Sequence, residues 1–192
     1  MNRRTFAAAA LPLLEGCKEA YPRFFDIEWD EEVLLHDGRI IWVHVKRTFE
    51  RRSQFDQWDG IYRDTEIAFD MDSAGRRYQR KFLRYQVNMI ECKGAYWYIS
   101  LENTSGSPPE QVVDLSFPRL ILAPDESQRA ASSWADLPDF PRHNLMPLTP
   151  SPEGVLQFAN KRLTWQVKMA HWGKNPRAAG DTGLLIQHHT NK

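Results

Sequence analysis

Cysteine is scarce. Of 192 residues only Cys17 and Cys92 carry a thiol, so a disulfide framework is excluded and one bridge is the ceiling. Long apolar runs are missing too: no window reaches the roughly eighteen apolar residues that a transmembrane helix needs. Neither sign of charge is in excess. Lys plus Arg number 25 and Asp plus Glu 25, which gives no global attraction to nucleic acid or anionic lipid. The short motifs of zinc, nucleophile and nucleotide chemistry (HExxH, CxxC, GxSxG, SxxK, GxGxxG, the P-loop) do not occur. No cofactor and no catalytic residue is therefore assigned. Internal repeats and heptads are absent as well.

What the chain does have is aromatic residues and an ordinary globular balance, with 42% apolar and 26% charged residues. Seven Trp, six Tyr and ten Phe favour strands and a large core.

The first stretch is set apart from the rest. Arg3 and Arg4 form a basic region, Phe6 to Leu14 an apolar run too short to cross a bilayer, and Gly16 precedes Cys17. This is the layout of an export signal over residues 1–16. Arg3-Arg4-Thr5-Phe6 resembles the core of a twin-arginine signal. Leu14-Glu15-Gly16-Cys17 resembles a bacterial lipobox, although Glu15 stands where a small or apolar residue is usual. The resemblance implies acylation of Cys17. Each buried methylene of an acyl chain contributes about 0.8 kcal/mol, so several chains anchor a protein that has no membrane helix. Lys18 after the cysteine, by analogy with Gram-negative sorting, implies the outer membrane rather than the inner. Residues 17–28 then read as a tether and 29–192 as a single β-rich domain. The competing readings of the leader are a plain cleaved export signal and a cytoplasmic chain whose first residues merely look like one.

Two β-prone runs, Glu31–Leu35 and Arg39–Lys46, flank Asp37-Gly38, the pair favoured in a two-residue hairpin loop. That loop would set His36 opposite Arg39 and Leu34 opposite Ile41. Ile67, Phe69 and Met71 alternate with polar residues as in a half-buried strand. Ser73-Ala74-Gly75 reads as a turn, residues 77–91 as one long strand, Lys93-Gly94 as a turn and Tyr96–Leu101 as a returning strand. Val112–Leu122 is β-like but interrupted by Pro118. Residues 124–152 are Pro-rich and read as a long covering loop, with a short helix near Ser132–Asp136. Leu163, Trp165, Val167 and Met169 alternate with polar neighbours, which predicts a last hairpin with Val155–Phe158. Leu184–Gln187 reads as a short final strand. The whole predicts an all-β, mainly antiparallel fold, either a sandwich or a partly closed barrel.

Few side chains suggest chemistry. His36, His44, His143, His171, His188 and His189 show no zinc-like helical spacing, so no metal site is expected. Asp30-Glu31-Glu32 reads as solvated charge, because strand neighbours point to opposite faces. Cys92 reads as a buried, inert thiol, with a Cys17–Cys92 bridge as the alternative if Cys17 is not acylated. The candidate binding residues are Arg77, Arg80, Lys81 and Arg84, interleaved with Tyr78 and Phe82, together with Trp58 in a polar stretch where its ring could stack on a sugar. In the cytoplasm such a basic, aromatic stretch would suit single-stranded nucleic acid. In the envelope it would suit anionic headgroups or a protein partner. The plainer alternative is an edge strand whose long cationic side chains blunt it.

At Trp29-Asp30-Glu31-Glu32-Val33-Leu34-Leu35-His36-Asp37-Gly38-Arg39 the sequence resembles a group of proteobacterial lipoprotein-like proteins of uncharacterised activity, which carry a Trp-acidic-Glu-Val-x-Leu-x-Asp-Gly-Arg hairpin after such a leader. The resemblance covers about a dozen residues, more loosely the strands over 65–101. It implies envelope location and β structure, and carries over no functional residue. The function expected is that of an envelope lipoprotein with a non-enzymatic interaction or ligand-binding role, held to the membrane through its lipid anchor. The alternatives are an envelope hydrolase acting on glycan or peptide and a cytoplasmic nucleic-acid-binding protein.

Overall fold

The computed structural model describes residues 21–53, 60–103, 119–125, 127–131, 136, 138, 143–146 and 152–174. Trp58, the 132–135 part of the expected short helix, residues 112–118 and the Leu184–Gln187 segment lie outside them, as do Arg3, Arg4 and Cys17.

Alternation along the first strands builds one layer. In β1 (Phe24–Leu34), Ile27, Trp29, Glu31 and Val33 are buried, while Asp26, Glu28, Asp30 and Glu32 face outward. β1 begins within the span read as a tether. It pairs antiparallel with β2 (Ile40–Arg51), which pairs with β3 (Gly60–Asp70), which pairs with β4 (Arg77–Leu83). A two-residue strand, β9 (Arg162–Leu163), adds parallel to β1, giving the order β4-β3-β2-β1-β9. The second sheet has the order β5-β6-β7-β8, from β5 (Tyr85–Lys93), β6 (Tyr96–Asn103), β7 (Arg119–Leu122) and β8 (Gln128–Ala130). The inner faces share one core, joined for example by Phe69 against Trp97 with ring centroids 4.9 Å apart. Burying each such large apolar side chain contributes about 1.5–3 kcal/mol. Among the described residues both sheets have free ends in their strand order, so they form an open sandwich and not a closed barrel.

Three expectations are corrected. The β1–β2 hairpin exists, but its register sets Leu34 opposite Ile40 and Glu31 opposite Val43. The loop has three residues: Gly38 N–H donates to Leu35 O, Leu35 N–H donates to Arg39 O, and only Gly38 has positive φ, at 85°. This is a tight turn closed by a glycine bulge, not a turn with both central residues left-handed. One residue of slip exchanges the faces, so Glu31 points inward. Next, residues 77–91 are two strands. Arg84 takes φ 60°, its N–H donates to Arg63 O at 2.6 Å, and the chain passes there from one sheet to the other.

Finally, the expected last hairpin is helical. α1 (Pro152–Leu156) and α2 (Trp165–Lys174) flank β9. Trp165, Lys168, Met169 and Trp172 recur at helical spacing and turn one stripe toward the core. Thr164 caps α2, its Oγ1 accepting the Val167 N–H at 3.4 Å. Within the stretch read as a covering loop, Asn144, Leu145 and Met146 are fully buried.

Candidate functional site: a buried polar network at the sandwich corner

Four deeply buried polar side chains, Glu31 of β1, Glu91 of β5, Lys168 of α2 and Asn144, form one hydrogen-bonded group. Asn144 is their hub. Its backbone N–H donates to Asn88 O at 3.1 Å. Its side-chain amide pairs with Ile90 as a neighbouring strand would, Oδ1 accepting the Ile90 N–H at 2.9 Å and Nδ2 donating to Ile90 O at 2.7 Å. β5 ends its sheet, and this residue occupies hydrogen-bonding groups that an open edge would offer to another chain. Nδ2 also reaches Leu34 O and Glu91 Oε1, each at 3.2 Å.

On one side of Asn144 lies Glu91. Its carboxylate accepts the backbone N–H of His36 and meets His36 Nδ1, both at 3.0 Å. Burial raises the Glu91 carboxyl above its usual range, against the hydrogen bonds and charge of His36. His36 is about one-third exposed, whereas the Glu91 side chain is wholly enclosed. Cys92 sits next along β5, buried, taking a hydrogen bond from Arg39. Burial pushes its thiol up, away from the thiolate that reactivity requires.

On the other side lies Lys168. All three N–H of its ammonium are used: Nζ lies 2.7 Å from Glu31 Oε2, from Glu32 O and from Asn144 O. The rings of Trp165 and Trp172 stand 5.3 and 5.5 Å from it. Burial pulls the Lys168 amine down, against the pull of Glu31. Glu31 accepts further bonds from Met146 N–H at 3.0 Å and Trp29 Nε1 at 3.3 Å. The expectation of solvated charge at Asp30-Glu31-Glu32 is therefore corrected for Glu31, which is 1% exposed.

Deeper between the sheets is Arg47, also 1% exposed. Its guanidinium lies over the rings of Trp29 and Tyr62, at 5.6 and 5.5 Å. Its Nε and Nη1 have no hydrogen-bond partner. Burial pulls it down to about 10, against the attraction of Tyr62 and Glu31.

The basic stretch is not gathered into one cationic face. Arg77 faces Asp70 at 3.8 Å and Lys81 faces Asp64 at 3.1 Å across the β3–β4 pair. Arg80 lies on the opposite face, stacked on Phe82 at 5.5 Å and bonded to Gln128 of β8. Arg84 stands at the corner between the sheets. β4 ends its sheet, so these side chains do line an edge. Among the described residues no group of three or more His, Cys, Asp or Glu could hold a metal ion, and no helix is long and apolar enough to cross a membrane.

Sequence reasoning missed Lys168, Asn144, Glu91 and Arg47. The helical spacing Trp165-Lys168-Met169-Trp172 was the one available signal, and it marks Lys168 as core-facing. Comparison with known proteins finds no match: no family model, no curated protein and no solved structure is similar to this chain.

Proposed function

We propose that this chain is a cell-envelope lipoprotein, tethered by acyl chains on Cys17 to the outer membrane and facing the periplasm, with a non-enzymatic role in binding an envelope partner or a small ligand. The leader residues Arg3, Arg4 and Leu14–Cys17 support the address. Only residues 18–23 separate Cys17 from the first strand, a short tether that would hold the sandwich close to the bilayer.

The observation that carries the non-enzymatic reading is the state of the buried carboxylates. Glu31 holds Lys168, Met146 N–H and Trp29 Nε1, and Glu91 holds His36 and Asn144. Acid–base catalysis needs a carboxyl free to exchange a proton with substrate; here both are occupied in joining strands to α2, to the β1–β2 loop and to residues 144–146. The charge pattern of the surface speaks against a nucleic-acid groove. Lys46 meets Asp26 at 2.8 Å, His44 meets Asp30 at 3.0 Å, and Arg23 and Arg63 share Glu50. Among the described residues, alternating signs across strands give no continuous positive track for a phosphate backbone.

Fractionation tests the address. Mass spectrometry of the N-terminus from native membranes should find a diacylglyceryl cysteine at position 17, and Cys17→Ser should move the chain to the soluble fraction. Intact Met1 in the cytosol, or unchanged membrane retention of C17S, would overturn the proposal.

A further inference from the structure

We propose that the end of the sandwich where the chain enters is a membrane-docking face: Phe24, Ile61 and Leu83 dip into the boundary between headgroups and acyl chains of a phospholipid surface, and Arg23 meets headgroup phosphate. The inference rests on the lipid-anchored reading above for its place in the cell, and it names the surface on which the anchored domain lies.

The strand register gathers these residues. Phe24 of β1 and Ile61 of β3 stand on either side of Glu50. In the next row Asp26, Thr48, Asp64 and Leu83 stand side by side across the four strands. The strand neighbours Tyr62 and Phe82 are buried, and Phe25 stacks on the buried Phe49. Phe24, Ile61 and Leu83 therefore share the outer face. They are 50%, 41% and 47% exposed, and Tyr21, just before β1, is exposed as well. Half of the eight large apolar side chains exposed among the described residues thus lie at one end of this sheet. A single such side chain on a surface is ordinary, whereas several together mark a contact.

The entry of the chain decides what meets them. Arg51 N–H donates to Arg23 O at 2.8 Å; its guanidinium donates to Pro22 O and lies over the Tyr21 ring at 5.3 Å. The residues just before β1 are thereby held to this end. Cys17 and Tyr21 are four Cα-to-Cα steps apart, at most about 14 Å when fully extended. An acylated Cys17 sits at the bilayer surface, so this end stays within that reach of it. Ile40, at the other end of β2, lies ten residues from Glu50, about 33 Å further along the sheet. The charges fit the same surface. Among the described residues at this end, Arg23 and Arg63 share Glu50, two cations on one carboxylate. Asp26 is matched to Lys46 at 2.8 Å and Asp64 to Lys81 at 3.1 Å. The Arg23 side chain is 74% exposed and its guanidinium lies over the Phe24 ring at 5.3 Å. A ring in the apolar layer with a cation at phosphate level suits the bilayer boundary. So few inserted side chains bind weakly by themselves, and the contact orients a domain that acyl chains already hold.

The test uses the full chain carrying Cys17→Ser and, one at a time, Ile61→Cys, Leu83→Cys or Ile40→Cys, labelled with an environment-sensitive dye. Cys92 is buried and stays unlabelled. Vesicles of phosphatidylethanolamine with phosphatidylglycerol, in excess and brominated in their acyl chains, are the probe. The dyes at positions 61 and 83 should shift to the blue and be quenched, and the dye at position 40 should do neither. Adding Phe24→Ser and Ile61→Ser to the Leu83→Cys chain should raise the lipid concentration for half-maximal quenching by at least about tenfold. Apolar surface worth two methylenes already gives that factor. Equal signals at the three positions, or quenching that survives the double substitution, would overturn the proposal. So would a blue shift that grows with protein concentration and needs no vesicles, which would make this end an interface between copies. Should the double variant not fold, the three dye positions decide by themselves. Leader and tether are the same in every chain, so quenching lost on the double substitution belongs to the docking face. Insertion is read without acylation, so it can fail while the fractionation result stands, and the reverse.

Discussion

Lys168 and Glu31 illustrate how much a single buried charge depends on its partner. The ammonium has three N–H groups and all three find oxygen at 2.7 Å. Removing two charges from water costs several kcal/mol per ion, and only dense hydrogen bonding offsets it. Removing one partner leaves the other charged and enclosed. Glu31→Met and Lys168→Met are each expected to destabilise the fold by about 3–5 kcal/mol. The double variant should cost clearly less than the sum of the two, since no orphaned charge remains. It should not be neutral, because Met146 N–H, Glu32 O and Asn144 O lose their partner. Urea unfolding of the four chains measures the coupling. Additive effects would show that the pair acts as two independent groups.

At the scale of elements, the β1–β2 hairpin depends on a glycine where the chain must turn left-handed. Gly38 has φ 85° and a Cβ there would meet nothing within 4 Å. The cost of Gly38→Ala is therefore conformational and not steric, about 1–2 kcal/mol, seen as a lowered thermal midpoint with unchanged far-UV spectrum. A change below a few tenths of a kcal/mol would mean that the loop relaxes to another turn. This hairpin also shows what the sequence could and could not reveal. Asp37-Gly38 between β-prone runs marks a turn, and the aromatic, alternating strands mark an all-β layer. The pair does not say whether the loop has two residues or three, and that one residue decides whether Glu31 or Glu32 enters the core. Likewise Trp165, Val167 and Met169 alternate as a strand would, while Trp165, Lys168, Met169 and Trp172 fit a helix. A lysine within the stripe hid the second pattern, because its burial depends on Glu31, 137 residues earlier in the chain. Arg84 gives no local sign that a strand ends, since its positive φ is imposed by the step between sheets. Asn144 pairs with a strand 54 residues away, a contact that no local period encodes.

At the scale of the whole molecule, the enclosed carboxyl of Glu91 ties stability to pH. Burial holds its folded-state value above the ordinary carboxylate range. Between the ordinary value, about 4.3, and the raised one, the folded chain keeps a proton that the unfolded chain has lost. Stability contributed by the neutral form is complete below that window and declines as pH rises through it. Lys168 works on the alkaline side. Its folded value is lowered by burial, so between that value and the ordinary lysine value the unfolded chain binds more protons, and stability rises with pH there. The two windows are separable by substitution. Glu91→Gln keeps an amide able to face His36 and Asn144 but cannot ionise. Across the acidic window its stability relative to the parent should rise with pH, with a slope of at most about 1.4 kcal/mol per pH unit. Urea midpoints of both chains from pH 4.5 upward, at steps of roughly half a unit, would measure it. A constant difference between parent and E91Q would mean that the carboxyl titrates alike in both states. The corner where Glu91 meets His36 and Asn144 would then be wet enough to solvate a charge.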